Sequence, residues 1–149
     1  VHVAMRDVTA VKAHEGGYVV HTGAPHYVEW VASGWHGLDV VKAGSAIRNS
    51  SVFQEEGINV NFIGLKENGS LSLRTYERGV EAETLSCGTG ATAAALVAAM
   101  RGLESPVHIQ TLGGELQVRF RQKGPQHFSQ IELVGPAQQV FQGTIDSNP

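Results

Sequence analysis

A single cysteine, Cys87, stands directly ahead of Gly88-Thr89-Gly90, and from Ala91 to Met100 every residue except Thr92 is apolar. Glu77-Arg78 lies a short way upstream. A helix starting at Gly88 puts Cys87 at its head, beside first-turn N–H groups that have no intrahelical partner and the positive end of the macrodipole, both of which stabilise an anion. Such a position favours a thiolate. The amides of Gly88, Thr89 and Gly90 can equally receive a carboxylate or phosphate, and the glycines let it come close. Nucleophile or base and anion cradle therefore share one turn. A lone cysteine is often no more than a small buried hydrophobe, but the Gly-Thr-Gly and the Glu77-Arg78 pair argue for chemistry. His26 follows Gly23-Ala24-Pro25 at a turn-to-strand junction, a usual place for a functional side chain, although a lone histidine is often only a hydrogen-bonded structural group. Asn59 and Asn61, two apart on a strand, share a face; they can bind a ligand or merely satisfy loop backbone.

The elements that must position these groups follow from pattern. A short helix that is apolar on every face has to be enclosed on every face, so residues 88–100 are predicted as a central helix inside a sleeve of strands. That length is well short of a bilayer span. Arg101-Gly102 is a helix stop. Strands are expected at 1–8 and 17–22, paired as a hairpin around Gly16-Gly17, and at 26–31. A short amphipathic helix is expected at 37–49, weakened by Gly44. Strands at 59–65 and 71–76 flank the hairpin turn Glu67-Asn68-Gly69-Ser70. Four more are expected at 107–112, 115–120, 128–134 and 139–145, divided by Gly-Gly and Gly-Pro turns. Strands on both sides of one helix favour an α+β fold, an antiparallel roll or barrel wrapped around the central apolar helix, over βαβ winding. Residues 1–149 fit one domain, with Ser147-Asn148-Pro149 frayed.

With a formal net charge of −3 and 17% charged residues, the chain has no basic stripe, so neither nucleic acid nor a membrane surface is expected as partner. One cysteine forms no internal disulfide and no signal-like segment is visible, so a cytoplasmic location is expected. The seven histidines are dispersed and the cysteine has no partner at ligand spacing, so no metal site is expected. The first methionine, Met5, falls inside a strand-like VHVAMRDV, and the chain reads as part of a longer one.

The run YERG…ETLSCGTGA resembles diaminopimelate epimerase, a family of cofactor-independent enzymes that invert an α-carbon of diaminopimelate on the route to lysine and peptidoglycan. TGAPHYVEWV resembles that family's Gly-Asn-Pro-His turn and strand, NVNFIGL its asparagine strand and VGPAQQVFQGTI its closing strand. The resemblance covers the chain but only the second half of the family's two-domain protein, so an N-terminal domain with an opposing cysteine is the implied partner. It implies that Cys87 is one of two acid/base thiols, that Gly88 and Thr89 donate amides to the substrate carboxylate, and that Asn59, Glu77 and Arg78 contact the substrate. It also implies that Glu77 and His26 adjust thiol protonation, and that no cofactor is needed. Inversion without a cofactor needs a base on one face of the carbon and an acid on the other, so the isolated half is expected to be inactive.

Two features depart from the family pattern. Ala24 replaces the asparagine before Pro-His, and the run 79–86 is one residue longer, which adds Glu81. The alternatives are a proline-racemase-like or phenazine-pathway isomerase of the same fold, or a non-catalytic binding fragment. A phosphate binder lacks the G-x-x-x-x-G-K-[ST] pattern. Two copies of the chain can pair mouth to mouth as a homodimer, each imitating the missing domain.

Overall fold

The computed structural model describes residues 1–32 and 35–145; the expected fraying at 147–149 lies outside them. The central helix is α2, Gly88–Ala99, and its residues from Gly90 to Ala99 are all buried. Alanine is the best helix former, and its small side chain lets strands approach α2 from every side. Strands β3 (Gly17–His21), β4 (Pro25–Trp30), β5 (Asn59–Leu65), β6 (Leu71–Glu77), β8 (Val107–Thr111), β9 (Gly114–Gly124) and β10 (His127–Val134) all touch it. Together with β1 (His2–Ala4) and β2 (Val11–His14), and with β7 (Ala82–Thr84) on β6, they form one ten-stranded sheet among the described residues, in the order β1-β10-β9-β8-β6-β5-β4-β3-β2. The expected roll around one apolar helix is the architecture observed.

The sheet is mixed, not wholly antiparallel. β4 runs parallel to β5, and β6 parallel to β8. Each parallel pair is joined by a helical crossover, as parallel strands require. α1 (Val40–Arg48) links the first pair across the outside of the curl, and α2 links the second through its interior. β5 is thereby buried on both faces. Its Asn59, Asn61 and Ile63 share one face, of which Ile63 joins the core around α2. Val60 and Phe62 face the other way, packing with Tyr27, Val40, Ile58 and Tyr76 under α1. Burial of each large apolar side chain in these two cores stabilises by about 1.5–3 kcal/mol.

α1 starts after Asp39, whose carboxylate accepts from the Lys42 amide at 3.0 Å, later than the expected Gly37 because this cap satisfies an orphan first-turn donor. Gly44, expected only to weaken the helix, is buried where α1 meets β6: a Cβ there would collide with Tyr76 Cβ and Cγ.

Two expected strand assignments fail. Residues 1–8 do not pair with 17–22. β1 pairs with β10, Met5 and Val8 extend that contact to Ile131 and Phe128, and the hairpin partner of β3 is β2. One N-terminal segment thus lines first one end of the sheet and then the other. The strand expected at 139–145 is absent: these residues have no regular structure, and Phe141 is 84% exposed. Gly135-Pro136 ends β10, and the flank of β10 that a following strand would join is held by β1. Among the described residues, no helix is long and apolar enough to cross a membrane.

Candidate active site

Cys87 is the N-cap of α2, in extended conformation with φ −131° and ψ 108°, and is 9% exposed. The amide of Ala91 bonds back to its carbonyl at 2.8 Å, so Gly88, Thr89 and Gly90 carry the first-turn amides that a helix leaves without an internal acceptor. A Cβ on Gly90 would strike Asn61 Oδ1 and come within 3.3 Å of the sulfur; only glycine fits between β5 and the thiol.

The polar residues around the thiol join in a line. Cys87 Sγ lies 3.5 Å from Thr89 Oγ1, and Thr89 Oγ1 lies 2.9 Å from His26 Nε2. His26 Nδ1 is 3.0 Å from Asn61 Nδ2, and Asn61 Oδ1 accepts from Thr75 Oγ1 at 3.0 Å. Thr22 Oγ1 donates to the Thr89 carbonyl at 2.8 Å, clamping the start of α2 to the end of β3. His26, Asn61, Thr75 and Thr22 are all buried. Burial removes hydration from the imidazolium, and with the positive fields of His21 and Arg78 it lowers the His26 pKa from 6.5 to about 3. His26 is therefore neutral at physiological pH.

Asn59 bridges rather than opens toward solvent. Its Nδ2 donates to the Pro25 carbonyl at 3.1 Å and its Oδ1 accepts from the Arg78 amide at 2.9 Å. It ties the turn that carries His26 to the end of β6. Glu77 closes β6, half-buried. Arg78 donates through one guanidinium nitrogen to the Glu56 carbonyl at 2.8 Å, which leaves donors of its planar fork for other partners. The structure thus brings Cys87, Thr89 and His26 into direct line, with Asn59 and Arg78 in the shell that holds them. Thr22 and Thr75 were not legible as site residues: nothing in their local sequence distinguishes them from ordinary strand threonines.

Glu81, in the 79–86 run, has φ 57°. Its carboxylate accepts from the Gly79 amide at 3.1 Å, Tyr76 Oη at 2.8 Å and Arg48 Nε at 3.3 Å, and these bonds, led by that from Gly79, hold its pKa below the ordinary value. This loop is fastened to α1 through Arg48. Ala24 accepts from the Thr22 amide at 3.2 Å within the turn before β4.

The rim is apolar. Leu133 lies over Gly88, and Leu85 and Leu112 are 69% and 58% exposed, linked through the Gly113 amide bonded to the Leu85 carbonyl at 2.7 Å. A separate cleft of about 380 Å³, lined by Lys66, Ser70, Glu104, His108 and Glu115 among others, contains none of the thiol network. No group of three His, Cys, Asp or Glu side chains suited to a metal occurs among the described residues.

The family model described as diaminopimelate epimerase matches residues 18–140. The curated diaminopimelate epimerase of Flavobacterium psychrophilum is 40% identical over 147 residues, covering 97% of this chain and 57% of that protein. That of Aquifex aeolicus is 41% identical over 132 residues, covering 87% and 46%. The chain spans about half the length of the curated relatives it matches. Among solved structures, a probable proline racemase from Agrobacterium radiobacter superposes with TM-score 0.58 at 18% identity, covering 89% of this chain and 49% of that one. A hydroxyproline epimerase from Agrobacterium vitis superposes with TM-score 0.56 at 16% identity, covering 89% and 48%. These two likenesses are of fold.

Proposed function

Because the chain belongs to the diaminopimelate epimerase family, we propose that it supplies one face of a two-thiol, cofactor-independent site that interconverts LL- and meso-diaminopimelate. The observation that carries this reading is Cys87 at the N-cap of an enclosed helix, beside first-turn amides that have no intrahelical acceptor, with Leu133 over Gly88. The substrate α-carboxylate sits on the Gly88 and Thr89 amides, which sets the α-carbon over Sγ. When the proton leaves that carbon, charge flows into the carboxylate, where the helix terminus stabilises it. Excluding water strengthens that interaction, and the exposed Leu85 and Leu112 are suited to an opposing domain that closes the site. Arg78 adds positive field and donors for a carboxylate, and Glu77 at the same strand end stands ready for the substrate's ammonium. Neutral His26 and Asn59 fix the geometry of the turn.

One thiol cannot serve both faces of the carbon, so this chain alone does not interconvert LL- and meso-diaminopimelate. In a longer chain that carries an opposing thiol, Cys87→Ala lowers turnover by about 10²–10⁴-fold. Interconversion of the two epimers by the isolated chain, followed by chiral chromatography, sinks the two-thiol mechanism. Exchange of proline in place of diaminopimelate by the longer chain would move the reading to a proline-racemase-like enzyme.

A further inference from the structure

We propose that Asn61, through the tautomer it imposes on His26, aims the Thr89 hydroxyl proton at Cys87 Sγ, so that the thiol stands at the end of a one-directional donor chain. The direction is fixed at the far end. Asn61 Nδ2 lies 3.1 Å from the Tyr27 carbonyl and 3.4 Å from the Asn59 carbonyl, groups that only accept. Its Oδ1 receives the Thr75 hydroxyl at 3.0 Å. Turning the amide over would set oxygen against two carbonyls in a fully buried site, so nitrogen faces His26. Nδ1 of His26 must then be the acceptor at 3.0 Å. A neutral imidazole with its lone pair at Nδ1 carries its proton on Nε2, and Nε2 meets Thr89 Oγ1 at 2.9 Å. Because Thr89 accepts there, its own proton is free, and Cys87 Sγ at 3.5 Å is within the reach of a sulfur acceptor. Thr22 does not compete, since it binds the Thr89 backbone carbonyl.

Both ring nitrogens of His26 are committed, so in this arrangement it receives no proton from the thiol. It supports a thiolate by donation relayed through Thr89. Asn61 and His26 are positioning residues. The proposal rests on the preceding function only in treating Cys87 as the reacting group; the donor chain is a property of this chain by itself.

The test uses the chain as it stands, where every thiol signal is Cys87 because the sequence has one cysteine. Nitrogen-15 NMR of the imidazoles is expected to show His26 Nδ1 unprotonated and Nε2 protonated near neutral pH. Asn61→Asp, whose carboxylate can only accept, should move a proton onto Nδ1. Alkylation of Cys87 by iodoacetamide at fixed neutral pH should slow about tenfold in Thr89→Val, the loss of one hydrogen bond to a charged acceptor, and stay within about twofold of the parent in Thr89→Ser. The Nδ1-protonated tautomer in the parent chain overturns the proposal. So does an unprotonated Nδ1 in Asn61→Asp, an unchanged rate in Thr89→Val, or an equal loss in Thr89→Ser. The parent spectrum needs no variant to fold, and none of these measurements needs substrate. A failed diaminopimelate assay beside the expected spectra would therefore reject the epimerase function and leave the donor chain standing.

Discussion

Acid should weaken this fold through one buried side chain. In the folded state His26 takes up a proton only near pH 3, against 6.5 when exposed. Between those values the unfolded chain holds a proton at this position and the folded chain does not, so stability rises with pH across the window and is lost as pH falls from 6.5 toward 3. One such group contributes a slope of about 1.4 kcal/mol per pH unit. At about pH 5 the deficit relative to neutral pH is about 2 kcal/mol, which with a urea dependence of about 1–3 kcal/mol/M moves the midpoint by roughly 1 M. Carboxylates also titrate there, so the informative quantity is a difference between two chains. His26→Gln removes the titrating group and, by breaking the bonds to Thr89 and Asn61, lowers stability at every pH. Its curve should nonetheless run flatter than the parent's, by about 1 kcal/mol per pH unit, from about pH 6 to about pH 4. Urea unfolding followed by circular dichroism at several pH values measures both slopes. Equal slopes would refute the argument, because they would mean that folded His26 protonates as an exposed imidazole does.

Packing and ion pairing give two further expectations. Gly44→Ala, normally favourable inside a helix by up to about 1 kcal/mol, should here destabilise by about 1–3 kcal/mol, because the methyl meets Tyr76 in the interface between α1 and β6; a raised urea midpoint would contradict this. Arg74 grips Glu83 at 2.7 and 2.8 Å and the Leu38 carbonyl at 2.9 Å. Glu83→Gln breaks the fork and should cost about 1–2 kcal/mol, seen as a fall in Tm of about 3–6 °C; a Tm within about 1 °C of the parent would show that the pair adds nothing.

The elements legible in the sequence were those with only one physical solution. An apolar run such as 88–99, without a polar face, has to be enclosed, and Asn68-Gly69, with Gly69 at φ 81°, specifies the turn between β5 and β6. The place of Cys87 at the head of that helix was legible for the same reason. What escaped depends on partners remote in the chain. Residues 2–8 alternate well enough to be a strand anywhere, and only the finished sheet decides that they join β10 rather than β3. Residues 139–145 alternate equally well and form no strand, because pairing needs a free edge as well as a pattern. The parallel pairs arise from crossovers whose path no local signal records. At the site, spacing puts Asn59 and Asn61 on one face of β5 but does not say that Asn61 meets His26, a contact set by the parallel register that aligns His26 with Asn59. Thr22 and Thr75 became visible only when their strands were assembled.

The full enclosure of α2 has a mechanical consequence. A helix gripped by strands along its length cannot slide or roll without prying the core apart, so its end behaves as a stator. Cys87 is bolted to that stator, and the Thr22 and His26 clamps set its bearing from two strands. Any reaction that needs a second group on the far side of a carbon must bring that group up to this one. Under the proposed function, the travel in such a device belongs to the opposing domain and not to α2.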